Sequence, residues 1–201
     1  MADARPLIHI LAGPNGAGKS TLYETYVRRL TDAELVNADL LAAGVLAHPA
    51  LTLEEGALGQ RLAEARRAEL LAARRSFVTE STFSHPSKVE LVRAARRAGY
   101  RVVIYHVSLD SPDLAVARVA FREGEGGHPV PEDRIRGRYA RNPALIREAV
   151  RLADWAFVFD NSQLGVPPRR LITFRAGAAT DVAANLPRWA SELYVEDLPA
   201  A

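Results

Sequence analysis

The sequence predicts an α/β fold, with a mostly parallel sheet of five to six strands, helices on both faces of the sheet and a lid segment. Three observations lead to this prediction. Short apolar runs alternate along the chain with longer segments of helical periodicity. A chain of 201 residues with 48% hydrophobic content can bury one sizeable core. A glycine-rich stretch follows the first apolar run directly, as a tight turn between a strand and a helix requires.

The elements follow from apolar runs that are rich in Val, Ile, Phe and Tyr and from the amphipathic segments between them. The predicted strands are Leu7–Ala12, Glu34–Asn37, Ser76–Thr79, Arg101–Val107, Trp155–Phe159 and Leu171–Phe174. The predicted helices are Lys19–Leu30, Leu53–Arg74, Ser87–Ala98, Pro112–Arg122, Pro131–Ala153 and Asp181–Tyr194. Because strand and helix alternate, most strands are expected to run parallel. We predict a single domain over residues 1–201, with a lid at about 118–141.

Composition narrows the classes of function. The chain has no cysteine, which excludes disulfides and thiolate metal sites. No stretch has the roughly 20 apolar residues of a membrane span, and the N-terminus lacks the features of a signal peptide. We therefore expect a cytoplasmic protein with no membrane partner. A net charge of +2 is small for a protein that binds a polyanion, so no nucleic-acid partner is expected.

Lysine is unusually rare. Of the 26 basic residues only Lys19 and Lys88 are lysines, and the rest are arginines. A single arginine in such a chain is by default a solvated surface charge. The two lysines are therefore candidates for places where a compact ammonium is needed in place of a planar guanidinium.

The segment "GPNGAGKS" fits the phosphate-binding loop G-x-x-x-x-G-K-[ST]. In such a loop, backbone N–H groups surround the β-phosphate, the lysine reaches the β and γ oxygens, and the serine hydroxyl binds Mg²⁺. The motif predicts a P-loop fold that binds ATP and Mg²⁺, with Ser20 as the metal ligand. The predicted nucleotide-binding residues are Gly13, Asn15, Gly16, Ala17, Gly18, Lys19, Ser20 and Thr21.

Two acidic residues at strand ends are candidates for chemistry on the γ-phosphate. Asp39 follows the second predicted strand, where open α/β sheets bind ligands. Its carboxylate could accept the proton of an attacking hydroxyl, or it could be the N-cap of a helix. Glu80 ends the third strand beside Thr82 and could bind a substrate hydroxyl or the Mg²⁺ shell, or could serve only as a capping acid.

An ordered set of segments resembles the zeta-toxin family of P-loop kinases, in particular its small chromosomal members. The segments are "GPNGAGKST", "VNADLLAAG", "FVTESTFSHPSKVELVRAARRAGYRV", "ARVAFREGEGGHPVPEDRIRGRYARN" and "ADWAFVFDNS". The resemblance extends from about Pro6 to Ser162. The C-terminal strand and helix at 169–195 lie outside it.

The resemblance implies a kinase of the 3′-hydroxyl of the sugar in UDP-N-acetylglucosamine, held inactive by an antitoxin protein. It implies Asp39 as general base, Glu80 as substrate-site acid, Lys19 as loop lysine and Arg118 as a γ-phosphate contact. The sequence departs from the family in the lid, where Gly127 and His128 replace a second γ-phosphate arginine. Another arginine would then have to take that role.

The helix after the lid loop offers such arginines. Arg134, Arg138 and Arg141 have spacings that place them on one helical face. They are either a solvated face or contacts to the transferred phosphate and the substrate, and their position in the lid favours the second interpretation. Arg122 shares a face with Arg118. His128 is interpreted as a turn residue without a chemical role.

"STFSHPSKVELV" predicts a helix that begins near Pro86, with Ser84 or His85 as its cap. Lys88 and the donors around this helix start, His85 among them, are predicted to hold the phosphates of an acceptor such as a nucleotide sugar. The alternative is a surface lysine. Two rival functions remain: a kinase of another acceptor, such as a nucleoside, an antibiotic or a polynucleotide end, and a nucleotide-gated binding partner in a toxin–antitoxin pair.

Overall fold

The structure of the chain is a computed structural model in which residues 5–46, 52–124 and 129–199 are described. The strands are β1 (Leu7–Ala12), β2 (Glu34–Val36), β3 (Phe77–Ser81), β4 (Arg101–Ser108), β5 (Trp155–Asp160), β6 (Arg169–Arg175) and β7 (Ala178–Val182). The helices are α1 (Lys19–Thr25), α2 (Ala38–Leu46), α3 (Leu53–Ala72), α4 (Ser87–Arg97), α5 (Pro112–Gly124), α6 (Glu132–Leu152) and α7 (Arg188–Leu193).

The strands form one seven-stranded sheet in the order β2-β3-β1-β4-β5-β6-β7. Strands β1 to β5 pair in parallel, whereas β6 and β7 extend the sheet in antiparallel pairs. The predicted α/β class and mostly parallel sheet are confirmed, with more strands than the five to six expected. Because β1 lies between β3 and β4, the loop that follows it opens at the middle of the carboxyl edge of the sheet.

The position of β1 explains its composition. Ile8, Ile10 and Leu11 have no exposed surface, because helices cover both faces of the central strands. A strand buried on both faces is expected to be continuously apolar rather than alternating. One core cluster, which includes Leu70 of α3 and Val92 of α4, fills the first face.

Helices α1 and α5 cover the second face. Helix α6 contributes to both cores, since Ile135 near its start packs with the second cluster and Ile146 with the first. It therefore passes over the carboxyl edge of the sheet, and this passage brings its first turns next to the loop after β1.

Strand β7 was not predicted, and the predicted helix Asp181–Tyr194 was too long. Asp181 lies in β7, and α7 begins at Arg188. A two-residue loop joins β6 to β7, with φ of 48° at Ala176 and 80° at Gly177. Hairpins of this kind are normally signalled by Asn-Gly or Asp-Gly. Alanine seldom adopts a positive φ, so the sequence carried no such signal.

The first half of the chain shows two further differences from the prediction. The predicted helix Lys19–Leu30 ends as an α-helix at Thr25 and continues as a 3-10 turn, Val27–Arg29. The predicted strand Glu34–Asn37 ends at Val36, and Asn37 starts the unpredicted helix α2. Because α2 begins at the carboxyl edge, its first turn lies beside the loop after β1.

The C-terminal segment packs against the first face of the sheet. The hydroxyl group of Tyr194 lies 2.8 Å from Nδ1 of His106, and both side chains are buried. Arg147 and Arg151 of α6 each place Nε 2.6 Å from the carboxylate of Asp197. Within the described ranges, none of the helices has the length and apolar character that crossing a membrane requires.

We expect acid to destabilise the fold through His106. Burial lowers its pKa to about 3, so between about pH 6.5 and 3 the unfolded chain binds a proton that the folded chain does not. The free energy of unfolding should fall by about 1.4 kcal/mol per pH unit from this group as the pH drops through that window. Urea unfolding at several pH values should show a shallower slope for His106→Gln than for the parent chain. Equal slopes in the two proteins would contradict the assignment.

Candidate active site

The loop after β1 packs tightly against the ends of neighbouring strands. A Cβ atom at Gly13 would lie 2.0 Å from the carbonyl oxygen of Val107 in β4. Gly18 has a φ of +88°, and a Cβ atom there would lie 2.3 Å from Nδ2 of Asn161. These glycines are therefore required by close contacts as well as by backbone conformation, and the loop has the strand–loop–helix context that the phosphate-binding motif predicts.

Lys19, the first residue of α1, is buried, with 7% of its side chain exposed. Its Nζ donates to the carbonyl oxygen of Pro14 at 3.0 Å and lies 3.9 Å from Oε1 of Glu80. Burial lowers the pKa of Lys19, and the charge of Glu80 opposes that shift. The loop thus encloses a cation that one carboxylate compensates in part, which is a setting that favours a bound anion.

Glu80 lies at the centre of the polar contacts around the loop. Its carboxylate accepts from Oγ of Ser20 at 3.0 Å and from Nδ2 of Asn37 at 3.2 Å. Mg²⁺ in phosphate-transfer sites typically takes ligands from a hydroxyl or one or two carboxylates, from water and from the phosphates themselves. The hydroxyl group of Ser20 and the carboxylate of Glu80 fit that donor set.

The capping interpretation of Asp39 is wrong, because Asn37 caps α2. Oδ1 of Asn37 accepts from the backbone N–H of Asp39 at 2.9 Å and from that of Leu40 at 3.2 Å. No described side chain hydrogen-bonds to the carboxylate of Asp39. Its charge acts on Lys19 and Arg138.

Two clefts meet at the loop. The cleft that we call polar has a volume of about 630 Å³ and includes Asp39, Thr82, His85, Lys88, Arg134 and Arg138 in its lining. The cleft that we call apolar has a volume of about 680 Å³ and includes Ser20, Thr21, Leu114, Arg118, Phe121, Asn161, Leu164 and Val166. Gly16, Lys19, Glu80 and Arg122 line both clefts. The cation of the loop is therefore accessible from two sides.

The predicted arginines divide between the two clefts. Arg118 lines the apolar cleft, where its Nη2 donates to the carbonyl oxygens of Ser162 and Gln163 at 3.4 Å. Its Nε is buried without a hydrogen-bond partner among the described residues, and burial lowers its pKa. This arginine is therefore held beside the loop with unused donor capacity.

The first turns of α6 bring two of the three predicted arginines to the polar cleft. Arg134 and Arg138 line the polar cleft, and Nη1 of Arg138 donates to Oδ1 of Asn15 in the loop at 3.2 Å. Arg141 is exposed and lines neither cleft. His128 and Gly127 lie outside the described residues. Because α6 is helical over 132–152, the spacing of the three arginines places them on one face, but the cleft ends before Arg141.

The start of α4 differs in one respect from the predicted phosphate cradle. Its N-cap residue is Pro86, not the predicted Ser84 or His85, but Nδ1 of His85 accepts from the backbone N–H of Ser87 at 3.2 Å. The N–H of Lys88 donates to the carbonyl oxygen of His85, and that of Val89 to Pro86. The backbone donors are thus already used. At the start of α4, the hydrogen-bond donors that remain for a ligand are side chains, among them that of Lys88.

Sequence reasoning missed two residues of the site and only partly placed a third. Asn161 donates from Nδ2 to the carbonyl oxygen of Ala17 at 2.8 Å and so holds the loop to β5. Asn37 caps α2 and binds Glu80. Arg122, which the spacing only grouped with Arg118, lines both clefts. One sequence signal was available for both asparagines: each is a polar residue that follows an apolar strand.

Comparison with known families supports this description. A family model described as an AAA domain matches residues 8–164. A chain of the AvrRxo1-ORF1:AvrRxo1-ORF2 complex with sulphate ions is similar with a TM-score of 0.70 and 15% identity, over 97% of this chain and 64% of that chain. The same complex has also been solved with ATP. The present chain thus spans somewhat less than two thirds of the AvrRxo1 chain.

Other solved structures share the fold. A chain from the PezAT chromosomal toxin–antitoxin system of Streptococcus pneumoniae has a TM-score of 0.66 and 14% identity, over 99% of this chain and 82% of that chain. A putative kinase from Chloroflexus aurantiacus has a TM-score of 0.52 and 20% identity, over 68% and 78%. No curated protein matches the sequence significantly. The chain has the P-loop kinase-like fold, and the resemblance to zeta toxins is confirmed at the level of that fold.

Gly18→Ala should weaken ATP binding without unfolding the chain. The added Cβ atom would clash with Asn161, and the positive φ is unfavourable for alanine. The substitution would strain the loop by about 1–3 kcal/mol. Because the loop would have to move to relieve this strain, ATP affinity should fall roughly tenfold or more. Calorimetric titration with ATP and Mg²⁺ measures this. The matched control is Gly44→Ala in α2, where nothing lies within 4 Å of the added atom and binding should be unchanged. Parent-like affinity in Gly18→Ala would contradict the loop geometry.

Proposed function

Since the chain belongs to the AAA-domain family, we propose that it is an ATP- and Mg²⁺-dependent phosphotransferase that acts on a hydroxyl group of a small molecule. We propose a nucleotide sugar such as UDP-N-acetylglucosamine as the acceptor. One observation carries the proposal: the polar and apolar clefts meet at Lys19, Glu80 and Arg122. Hydrolysis of ATP needs one bound organic substrate, whereas transfer between two substrates needs a cleft on each side of the γ-phosphate.

The apolar cleft suits the donor nucleotide. Phe121 and Leu164 are about three quarters exposed, at 74% and 76%, although both are large apolar side chains. A nucleotide base between them would cover that surface. The phosphates would then extend into the loop, where Lys19 and the donors of α1 lie. Bound Mg²⁺ would supply charge neutralisation at the β and γ oxygens, held by Ser20 with Glu80 in its outer shell.

The polar cleft suits the acceptor. The acceptor oxygen attacks the γ-phosphorus, the bond from that phosphorus to the bridging oxygen breaks, and ADP leaves. The hydroxyl proton passes to the carboxylate of Asp39, which lines this cleft and accepts no hydrogen bond from a described side chain. Arg122 and Arg138 lie where they can neutralise charge on the transferred group, since one lines both clefts and the other contacts the loop at Asn15.

A protein partner of the antitoxin type is proposed as a regulator. The observation in its favour is that structural relatives come from two-protein assemblies, the PezAT toxin–antitoxin system and the AvrRxo1-ORF1:AvrRxo1-ORF2 complex. An antitoxin would have to block a cleft or hold the arginines of α6 away from the loop. A protein partner also allows the rival function, in which the chain captures a protein in a nucleotide-dependent manner without turnover.

The function is tested by incubating the protein with ATP, Mg²⁺ and a pool of nucleotide sugars, and by mass spectrometry of the products. The proposal requires a product that is heavier by one phosphate and that appears only when the protein and ATP are both present. Lys19→Ala serves as the inactive control. Phosphorylation of a nucleoside or an antibiotic instead would keep the kinase and replace the acceptor. Release of free phosphate alone would contradict phosphotransfer.

Asp39→Asn should bind ATP normally and lose turnover by about 10²–10⁴, because general-base assistance is typically of that size. Since Asn37 supplies the cap of α2, the substitution should leave the thermal midpoint unchanged. The matched control is Asp32→Asn, at an exposed site before β2 on the opposite edge of the sheet. Steady-state kinetics with a saturating acceptor decide the point. A rate equal to that of the parent would exclude Asp39 as the base.

Arg138→Ala and Arg122→Ala should each lower kcat far more than they change KM. An arginine on the transferred phosphate acts mainly in the transition state and can contribute on the order of 10³ in rate. Arg141→Ala is the matched control, because this arginine lies on the same helix and lines neither cleft. If Arg138→Ala and Arg122→Ala changed KM alone, these two arginines would serve ordinary binding and the assignment would be wrong.

A further inference from the structure

A further cavity, of about 330 Å³, lies between α6 and α7. We call it the α6–α7 cavity, and its lining includes His106, Ser108, Tyr139, Trp189 and Glu192. Among the described residues, none that lines it also lines the polar or the apolar cleft. Aromatic side chains with a few polar groups are the usual lining of a small-molecule site, and this volume is near the lower end for such sites. The cavity is therefore a candidate site that the proposed reaction does not use.

Two buried polar side chains in the lining have unused hydrogen-bonding capacity. His106 is 1% exposed, and its Nδ1 bonds with the hydroxyl group of Tyr194, while its Nε2 has no hydrogen-bond partner among the described residues. Ser108 is 8% exposed, and its Oγ likewise has no partner in the described part of the chain. Alternate residues of a strand extend to the same side of the sheet, so both groups border one space. Because leaving buried polar groups unpaired is costly, a ligand that bonds with both would be stabilised.

The charges around the cavity favour an uncharged ligand. Burial lowers the pKa of His106 to about 3, so the imidazole is neutral near pH 7. Glu192 is an exposed acid whose Oε1 already pairs with Nε of Arg188 at 2.6 Å. A charged ligand would lose its hydration here without gaining an unpaired opposite charge. The rings of Trp189 and Tyr139 in the lining offer aromatic surface, which favours a ligand that is itself a ring.

The walls of the cavity are hydrogen-bonded to residues that support the phosphate-binding loop. Nε1 of Trp189 donates to Oδ1 of Asp160 at 3.2 Å. The carbonyl oxygen of Ser108 accepts from the backbone N–H of Asn161 at 2.9 Å. Asn161 lines the apolar cleft and holds the loop at Ala17. A change at Trp189 or Ser108 can therefore reach the nucleotide end of the site through one or two hydrogen bonds.

We propose that the α6–α7 cavity binds an uncharged ring compound with one hydrogen-bonding group, and that this effector strengthens ATP binding. The ring covers Trp189, and its polar group bonds with His106 and Ser108. The effector favours the arrangement in which Trp189 donates to Asp160, and so it orders the segment that holds the loop. This inference rests on the ATP binding of the proposed function and goes beyond it. It requires neither phosphotransfer nor a particular acceptor.

The scarcity of tryptophan provides a direct probe of binding. The chain has two tryptophans, Trp155 and Trp189, and Trp155→Phe leaves Trp189 as the single fluorophore. Trp155 is at the start of β5, at the opposite end from Asp160, and does not line the cavity. Benzamide and, separately, phenol are titrated as uncharged probes, with benzoate and benzylammonium as charged counterparts of benzamide.

The proposal requires that at least one uncharged probe changes the emission of Trp189 saturably and that the charged counterparts bind tenfold or more weakly. Failure of both uncharged probes to saturate would mean that the cavity holds water only and would overturn the proposal. Equal binding of the charged counterparts would also overturn it, because the cavity would then not select by charge.

Two variants test the polar contact in the cavity. Ser108→Ala should bind the effective probe several-fold more weakly, because it lacks the hydroxyl group and keeps the backbone bond to Asn161. The matched control is Ser191→Ala on α7, whose hydroxyl group donates to the carbonyl oxygen of Arg188 and does not line the cavity. This control should bind the probe as the parent does. Parent-like affinity in Ser108→Ala would contradict the proposed contact.

Calorimetric titration with ATP and Mg²⁺ tests the coupling, with and without a saturating amount of the effective probe. ATP should bind several-fold more tightly when the probe is present, and the probe should bind more tightly by the same factor when ATP is present. Trp189→Phe keeps an aromatic ring but cannot donate to Asp160, so it should still bind the probe and should lose the gain in ATP affinity. A merely structural Trp189 would instead lower ATP affinity equally with and without the probe, which would contradict the coupling.

The two levels of inference fail in different ways. A chain that binds no ATP, with or without the probe, would refute the nucleotide binding on which the inference rests. A parent chain that binds ATP with the same affinity in both titrations would keep the proposed function and overturn the effector site.

Discussion

The site depends on one carboxylate. Glu80 lies near the end of β3, and its oxygens accept from Ser20 of α1 and from Asn37 before α2, while Nζ of Lys19 lies 3.9 Å away. These contacts join the phosphate-binding loop, the neighbouring strand and the helix that carries Asp39. A half-buried acid is costly to leave unpaired, and here the same carboxylate holds each of the donors in place. The cation of the loop and the candidate base are thereby fixed relative to each other.

Much of the fold could be predicted because its signals are local. The continuous apolar run of β1 and the glycines after it define a buried strand and a tight loop from the residues alone. The hairpin at Ala176 and β7 could not be predicted, because an alanine at φ 48° gives no turn signal. Helical spacing correctly grouped Arg134, Arg138 and Arg141. It could not show that the cleft ends before Arg141, since that depends on where α6 crosses the sheet.

Site residues also divide into those with a local sequence signal and those whose contacts depend on how distant segments pack. Lys19 and Ser20 belong to a motif whose geometry is contained in its own sequence. Asn161 and Arg122 acquire their contacts only when β5 and α5 fold next to the loop, so sequence spacing could not assign them. For Asp39 the sequence left a cap and a base equally open. The structure removes the first interpretation by a specific contact, because Asn37 supplies the cap.

The C-terminal segment, which lies outside the family resemblance, supports residues that line the apolar cleft. Nε1 of Trp189 donates to Oδ1 of Asp160 at 3.2 Å, and the hydroxyl group of Ser162 donates to the same oxygen at 2.6 Å. These contacts order the residues on both sides of Asn161, whose amide group holds the loop at Ala17. The carbonyl oxygen of Ser162 in turn accepts from Arg118. The segment that differs from the family therefore supports the part of the site that the family shares.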